Sequence, residues 1–240
     1  MKWSYGVTTV NHRFSGRDLL ETLSSLKNAG FDAPRLFVDG SPSIVDRSTA
    51  RIEKIGCYGN WLLALVELFL REPNADRYAI FQDDIRAVWH LREYLESVPY
   101  PDKGYLSLYT KVWDQPDKLA EGGMFGTPSD VKPHTYGFYP SEQCGRSALG
   151  LVFNREAVLL LLTQRRTYER IADPVLGHRH IDGACINAFK SLGWTEYVHN
   201  PSLLQHADVP STLGHDDHEP CVSFPGEDWD AMQLLKVESR

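Results

Sequence analysis

The sequence predicts an α/β fold, one domain over residues 1–240 with a mostly parallel central sheet flanked by helices. Three observations carry this expectation. Short apolar runs rich in β-branched and aromatic residues alternate with longer stretches of helical spacing. The first run, the first helix and the second run together occupy about 35 residues, the length of a βαβ unit. No internal repeat and no Pro/Gly/Ser-rich linker divides the 240 residues, of which 42% are hydrophobic, enough for one full core.

The elements follow in order. Tyr5-Gly6-Val7-Thr8-Thr9-Val10 reads as a strand and Asn11 to Gly16 as a polar turn. Arg17 to Ala29 places leucines at 19, 20, 23 and 26, a helical spacing closed by Gly30. Arg35 to Gly40 is the second strand, ending on the acidic turn at Asp39. A second helix, Gly59 to Arg71, carries Trp61, Leu62, Leu65, Leu68 and Phe69 on one face. Tyr78-Ala79-Ile80-Phe81 is a short buried strand that stops at Gln82-Asp83-Asp84. A helix around Val88–Val98 and a strand at Gly104–Tyr109 come next.

From Lys111 to Gly145 the chain turns rich in Gly, Pro and aromatics and loses its periodicity, the composition of a long lid or binding loop. Ala148–Phe153 resumes the sheet, and Arg155–Gln164 and His180–Leu192 read as helices. Trp194–His199 is a further strand, leading to Pro201-Ser202-Leu203-Leu204-Gln205-His206. Beyond Ala207 the chain reads as irregular and acidic.

Charge and cysteine usage narrow the function. The net charge is −7 with no basic block, so the electrostatic footprint of tight non-specific nucleic-acid binding is missing. Cys57, Cys144, Cys185 and Cys221 form no CxxC pair, which argues against a zinc knuckle and for free thiols in a reducing compartment. No apolar stretch approaches the roughly 20 residues that span a bilayer, and Met1-Lys2-Trp3-Ser4-Tyr5 lacks a signal-peptide core. A soluble cytoplasmic protein without stable membrane insertion is expected.

The chemistry concentrates where the third strand breaks. Two adjacent carboxylates cannot sit unpaired in a dry core, because each buried charge costs several kcal/mol. Asp83 and Asp84 therefore face water, a cation or a ligand, and the carboxyl end of a central strand is where open α/β sheets bind ligands. A hard divalent cation, Mg2+ or Mn2+, is held by one or two carboxylates plus substrate phosphates. The competing reading is a helix cap, since Asp84 precedes a helical stretch and Asp is a favoured cap.

Gln82-Asp83-Asp84 resembles the xDD variant of the DxD motif of GT-A glycosyltransferases, a Rossmann-like fold, and the resemblance extends over most of the chain. It implies a metal-dependent hexosyltransferase acting on a nucleotide-sugar, a UDP-sugar first, with inversion. Residues 1–110 would form the nucleotide-sugar-binding half and 111–240 the acceptor-binding and catalytic half, with 111–145 as the lid. Thr8, Thr9, Val10 and Arg13 occupy the place of the family's first nucleotide-contacting strand. Asp39 ends the strand where many members contact the base, and Gly56 to Asn60 matches a nucleotide-proximal segment. Ser147-Ala148-Leu149-Gly150 resembles the small-residue strand beside the sugar.

Gln82 stands where a strict motif has an acid, so the metal rests on Asp84, with Asp83 and Gln82 left to orient hydroxyls. His206 resembles a C-terminal histidine that completes the metal shell in several members, and imidazole suits Mn2+ better than Mg2+. A surface or hydrogen-bonded histidine is the plain alternative. Asp182 has the position of the family's general base at a helix start, with Asp173 next in line; an acid complementing the helix dipole is the alternative. Arg13, Arg51 and Lys54 could neutralise the departing diphosphate or be ordinary solvated charges. Trp113, Phe125, Tyr136, Phe138 and Tyr139 suit either an acceptor platform or a small core under the loop. His215-Asp216-Asp217-His218 reads as a solvated run.

The expected acceptor is a soluble hydroxyl-bearing molecule, a glycan or, as a lesser option, a hydroxylated base in phage-type DNA. Two other function classes compete. A nucleotidyltransferase would show a Gly-rich phosphate loop, which Thr8-Thr9-Val10-Asn11-His12 does not offer. A non-catalytic nucleotide-sugar or carbohydrate-binding module would keep the acidic pair for structure alone.

Overall fold

The computed structural model describes residues 1–14, 16–41, 48–126, 129–145, 147–169, 181–207 and 221–237. Its first half is the expected alternation: β1 (Trp3–Val10), α1 (Arg17–Asn28), β2 (Arg35–Asp39), β3 (Ser48–Ala50), α2 (Gly56–Arg71), β4 (Arg77–Gln82) and β5 (Ile85–Ala87). The second half contains α3 (Leu91–Ser97), β6 (Gly104–Ser107), α4 (Pro116–Glu121), β7 (Gly137–Pro140), β8 (Gly150–Asn154) and α5 (Arg155–Thr163). It ends with α6 (Arg165–Glu169), α7 (Ile181–Lys190), β9 (Thr195–Asn200), β10 (Leu204–His206) and α8 (Leu234–Val237).

Among the described residues the main sheet has eight strands in the order β3-β2-β1-β4-β8-β6-β9-β7. β1 pairs in parallel with both β2 and β4, while β8 and β7 run against their neighbours. The chain leaves β1 to one side for β2 and β3, then returns to its other side for β4. That reversal makes the β1/β4 boundary the topological switch point, the place where open α/β sheets form a ligand crevice. A separate two-stranded sheet pairs β5 with β10 antiparallel, setting Ile85 opposite His206.

Both faces of the sheet are covered. On one, Val7, Phe31 and Phe81 pack with Leu19 and Leu26 of α1; on the other, Trp61 and Leu65 of α2 meet Ile80, Phe153 and Phe189. Each large apolar side chain buried there contributes roughly 2–3 kcal/mol. Gly6 allows a close approach of β1 and β2, since a Cβ there would lie 2.5 Å from the Phe37 ring.

Several expectations are revised. The helix read as Val88–Val98 begins only at Leu91, because the amides of Val88 and Trp89 donate to Leu203 and Trp229 instead. Asp84 leads into β5, so it caps no helix. The 111–145 segment contains a 3-10 turn at Val112–Asp114, α4, and β7 at the edge of the main sheet. Within it Tyr139 is buried with Leu119 and Val198, and Phe138 meets the His199 ring edge-on. Trp113, Phe125 and Tyr136 are exposed. The tail holds a 3-10 turn at Ala231–Gln233 and α8. All four cysteines are free thiols. Among the described residues no helix is long and apolar enough to cross a membrane.

Candidate functional site

The carboxyl ends of β1 and β4 bring together side chains that lie some seventy positions apart in sequence. Thr9, in the last turn of pleat of β1, donates its hydroxyl to Asp83 Oδ2 at 2.5 Å. Arg13 sits in the turn after β1, a turn closed by its amide donating to Val10 O at 3.0 Å. From there a single guanidinium nitrogen, Nη1, reaches Asp83 Oδ1 at 3.0 Å and Asp84 Oδ2 at 2.7 Å. All three of Arg13, Asp83 and Asp84 are buried, at 6–7% exposure, so water screens little of their interaction.

The backbone of the acidic pair is held independently of its side chains. The Thr22 hydroxyl, on the buried face of α1, donates to Asp83 O at 2.9 Å or Ile85 O at 3.1 Å and accepts from Ile85 N at 3.2 Å. One turn further along α1, Ser25 Oγ accepts from Ala87 N at 2.8 Å. These two hydroxyls interrupt the leucine face of α1, and that interruption is the sequence signal for them. On the other side, Ala207 N donates to Asp84 O at 2.7 Å, continuing the β5–β10 ladder. That ladder delivers His206, whose Nε2 lies 3.5 Å from Asp84 Oδ2.

The two acids are not equivalent. Both oxygens of Asp83 have donors, whereas Asp84 Oδ1 is buried with no hydrogen-bond partner. A buried unsatisfied carboxylate oxygen costs a few kcal/mol or more. His206 Nδ1 lies 2.5 Å from Ala207 O, so that nitrogen carries the hydrogen and Nε2 is turned to Asp84. Burial pushes the Asp83 carboxyl up, the neighbouring Asp84 charge adds to this, and Thr9 and Arg13 oppose it without cancelling it. For Arg13, burial works against the charge but the two carboxylates outweigh it and hold the guanidinium above its ordinary range.

A carboxylate with one orphaned oxygen, whose other oxygen faces an imidazole nitrogen, fits a hard or borderline divalent cation. Among the described residues no group of three or more His, Cys, Asp or Glu side chains is arranged to hold a metal. The protein would supply Asp84 and His206, and water or substrate phosphate the remaining ligands, the usual arrangement for small divalent ions at phosphate sites.

The other predicted residues divide. Asp39, 3% exposed, spends both oxygens on the start of α2, accepting from Ile55 N at 2.9 Å and Gly56 N at 3.0 Å. Asn60 is also committed: its amide donates to Phe37 O at 2.9 Å and its oxygen accepts from Arg51 Nε at 3.3 Å. Arg51 is further tied to Glu67 at 2.8 Å. Lys54 is exposed, beside Gly40. Thr8 donates to Phe81 O at 3.3 Å, Val10 is half-buried at the end of β1, and Gln82 is half-buried at the end of β4. Gly150 lies in β8 opposite Phe81, where a Cβ would come within 2.4 Å of Leu204 Cδ1.

Asp182 is the second residue of α7, half-buried, with Oδ1 accepting from its neighbour Gly183 N at 2.8 Å. Cys57 lies in the first turn of α2. Burial pushes the Cys57 thiol up to about 12, and the carboxylates of Asp83, Asp84, Asp39 and Asp182 all act on it in the same direction. The charges of these four acids, from the ends of two strands and the start of a helix, thus all bear on one thiol. Asp173, His180, the 211–214 turn and the 215–218 run lie outside the described residues.

No protein-family model matches the sequence, and no curated protein matches it. The structure is similar to the crystal structure of GalNAc-T7 with UDP, GalNAc and Mn2+, at 11% sequence identity and a TM-score of 0.53. The likeness covers 98% of this chain and 48% of that one, so the chain spans about half the length of that protein. It is also similar to the crystal structure of A197 from STIV, at 10% identity and a TM-score of 0.47, over 91% of this chain and 100% of that one. The first likeness, with the mostly parallel eight-stranded sheet and its helices on both faces, establishes the architecture: this chain has a GT-A-like fold.

Proposed function

We propose that this protein is a metal-dependent glycosyltransferase that moves a sugar from a nucleotide-sugar, a UDP-sugar first, to an acceptor hydroxyl with inversion. One observation carries the reading: at the switch point of a GT-A-like fold, Asp84 keeps one buried oxygen, Oδ1, without a hydrogen-bond partner while its other oxygen, Oδ2, faces His206. The solved structure that shares the fold contains UDP, GalNAc and Mn2+, which supports this choice of donor and ion. Residues 1–110 would form the donor half and 111–240 the acceptor half, with 111–145 over the acceptor.

Asp84 and His206 would hold Mn2+ or Mg2+. When bound there, such an ion supplies Lewis-acid neutralisation of the departing diphosphate. Thr8, Thr9, Val10 and Gln82 line the crevice edge where ribose and sugar hydroxyls would lie. Asp39 and Asn60 shape it by fixing α2 against β1 and β2, and Lys54 offers an exposed cation at its rim. Gly150 would serve the donor side indirectly, by letting Leu204 and Phe81 pack against β8. Asp182 would take the proton from the acceptor hydroxyl as that oxygen attacks the anomeric carbon, which requires approach within about 3 Å or through one water. Exposed Trp113, Phe125 and Tyr136 provide aromatic faces for a soluble acceptor, a glycan or a hydroxylated DNA base.

The test is Asp84→Ala assayed for hydrolysis and transfer of UDP-sugars with and without Mn2+. The expected result is loss of the metal-dependent rate with cooperative unfolding retained. Activity that survives the substitution would overturn the reading.

A further inference from the structure

β2 begins three residues later than its neighbour β1. Its first residue, Arg35, pairs with Gly6, so Trp3, Ser4 and Tyr5 have β4 on one side and, among the described residues, no strand on the other. A notch of about 450 Å³ opens there, bounded by these residues, by Ala33 in the turn before β2 and by the carboxyl end of α2. That is the size of a small-molecule pocket. It lies at the opposite end of β1 from the candidate donor site: at about 3.3 Å per residue, Ser4 and Thr9 are roughly 16 Å apart.

The notch carries positive charge without a matching acid. Arg35 and Arg71 both line it. Arg35 donates from Nη2 to Thr49 Oγ1 at 2.9 Å, but its Nε is buried with no hydrogen-bond partner. Among the described residues no side-chain hydrogen bond or ion pair engages Arg71. Glu72 is the one acid of the lining, and it is paired with Lys2 at 2.5 Å. Behind Arg35, Glu67 accepts from Thr49 Oγ1 on one oxygen and from Arg51 Nη1 on the other, each at 2.8 Å. Three guanidiniums, of Arg35, Arg51 and Arg71, thus have one carboxylate among them. Burial and the neighbouring Arg71 charge hold the Arg35 guanidinium below its ordinary range, with Glu67 opposing them. A basic residue in the last turn complements the carbonyl end of a helix, which accounts for Arg71 at the end of α2. It does not account for the orphaned nitrogen of Arg35.

We propose that this notch is a second binding site, for a small phosphomonoester. Such a group carries close to two negative charges at neutral pH, which matches the two guanidiniums that line the notch. Its oxygens suit the planar fork of a guanidinium, and Arg35 Nε is a donor already in place. The organic part of the ester has an apolar wall in Ala33, Leu68 and the Tyr5 ring, whose hydroxyl is turned away to Asp32 O at 2.7 Å. Leu68 O offers no bare acceptor to repel the anion, since the Glu72 amide and the Ser4 hydroxyl both donate to it at 3.1 Å. The proposal is independent of the metal-site reading.

The experiment is calorimetric titration of the full chain with phenyl phosphate and with inorganic phosphate at constant ionic strength, for the wild type, Arg71→Ala and Arg35→Lys. The wild type should bind phenyl phosphate, and bind it more tightly than inorganic phosphate. Arg71→Ala should weaken phenyl phosphate binding at least about tenfold, the scale of a lost charge-assisted hydrogen bond. Its fold should be untouched, because the side chain is exposed. Arg35→Lys keeps the charge but loses the Nε donor and the fork, and should weaken binding as well. Arg71→Ala carries the test if Arg35→Lys does not fold cooperatively. No binding of phenyl phosphate to the wild type, or equal binding to the wild type and Arg71→Ala, overturns the site. Equal affinity of the wild type for the two phosphates overturns the assignment to an ester.

Discussion

His206 turns Nε2 toward Asp84 Oδ2 at 3.5 Å while its Nδ1 is spent on the carbonyl of Ala207. The ring is held by the backbone, because β10 pairs with β5 and the Ala207 amide caps the Asp84 carbonyl. An imidazole fixed in this way keeps Nε2 turned toward Asp84, and its orientation costs little on binding.

Replacing His206 by Ala should therefore weaken Mn2+ binding by at least about tenfold, the lower end of what even an outer-shell partner contributes. Folding should be preserved, since the ladder that positions the residue is made by backbone groups. The replacement by Asn should fall between. Mn2+ titration followed by spin resonance, with urea unfolding in parallel, separates the two effects. Equal Mn2+ affinity in wild type and His206→Ala would remove the histidine from the metal shell.

The contrast between Asp39 and Asp83 shows how far a sequence carries this kind of argument. Long elements with a clear apolar period were legible: β1, α1, β2, α2, β4, β8, α5, α7 and β9 all lie within a few residues of the expected bounds. β3, β5 and β10 have three residues each and β7 has four, too few to carry a period. β5 exists because Thr22, Ser25 and β10 receive it, and none of those partners is local. Asp39 and Asp83 read alike, as acids at strand ends. The structure separates them by their partners: α2 has no acid in its first turn and no capping side chain of its own, so it takes both oxygens of Asp39. The meeting of Arg13 with Asp83 and Asp84 depends on β1 and β4 being neighbours, which is a property of strand order.

Gly145 ties the loop before β8 to the start of α7. It has a φ of +62°, and a Cβ there would lie 2.6 Å from Asp182 O and 2.8 Å from Ile186 Cγ2. The first obstacle is backbone, which cannot swing away as a side-chain tip can. Gly145→Ala should push the first turn of α7, and with it the Asp182 carboxylate, out of place. A displacement of this kind lowers kcat far more than it weakens donor binding, because about 1 Å of misplacement can cost on the order of a hundredfold in rate. Steady-state kinetics set beside UDP affinity, measured also for Asp182→Asn, check this. A variant that loses donor affinity and turnover equally would show that Asp182 does not act on the acceptor.

Glu196 and His199 give the fold a pH dependence that is hidden because they oppose each other. Both are fully buried or nearly so, on the same strand, β9. Burial pushes the Glu196 carboxyl up to about 7 from 4.5, although hydrogen bonds from Ser141 and Tyr105 act the other way. Burial pushes His199 down to about 4 from 6.5, against the hydrogen bond from its Nδ1 to Pro201 O, while its Nε2 meets the Tyr94 hydroxyl at 2.7 Å. Glu196 binds its proton more tightly in the folded state, so its contribution is complete below about pH 4.5 and lost as pH rises through about 7. His199 binds a proton less tightly in the folded state, so its contribution is complete above about pH 6.5 and lost as pH falls through about 4. Each is worth on the order of 3 kcal/mol, and between about pH 4.5 and 6.5 the two slopes cancel. In Glu196→Gln the histidine is unopposed, and stability should rise steeply with pH across that window relative to the wild type. In His199→Gln it should fall. Urea unfolding at half-unit steps from pH 4 to 7.5 reads both differences directly; wild-type and variant profiles that run parallel would show that neither group titrates in the fold.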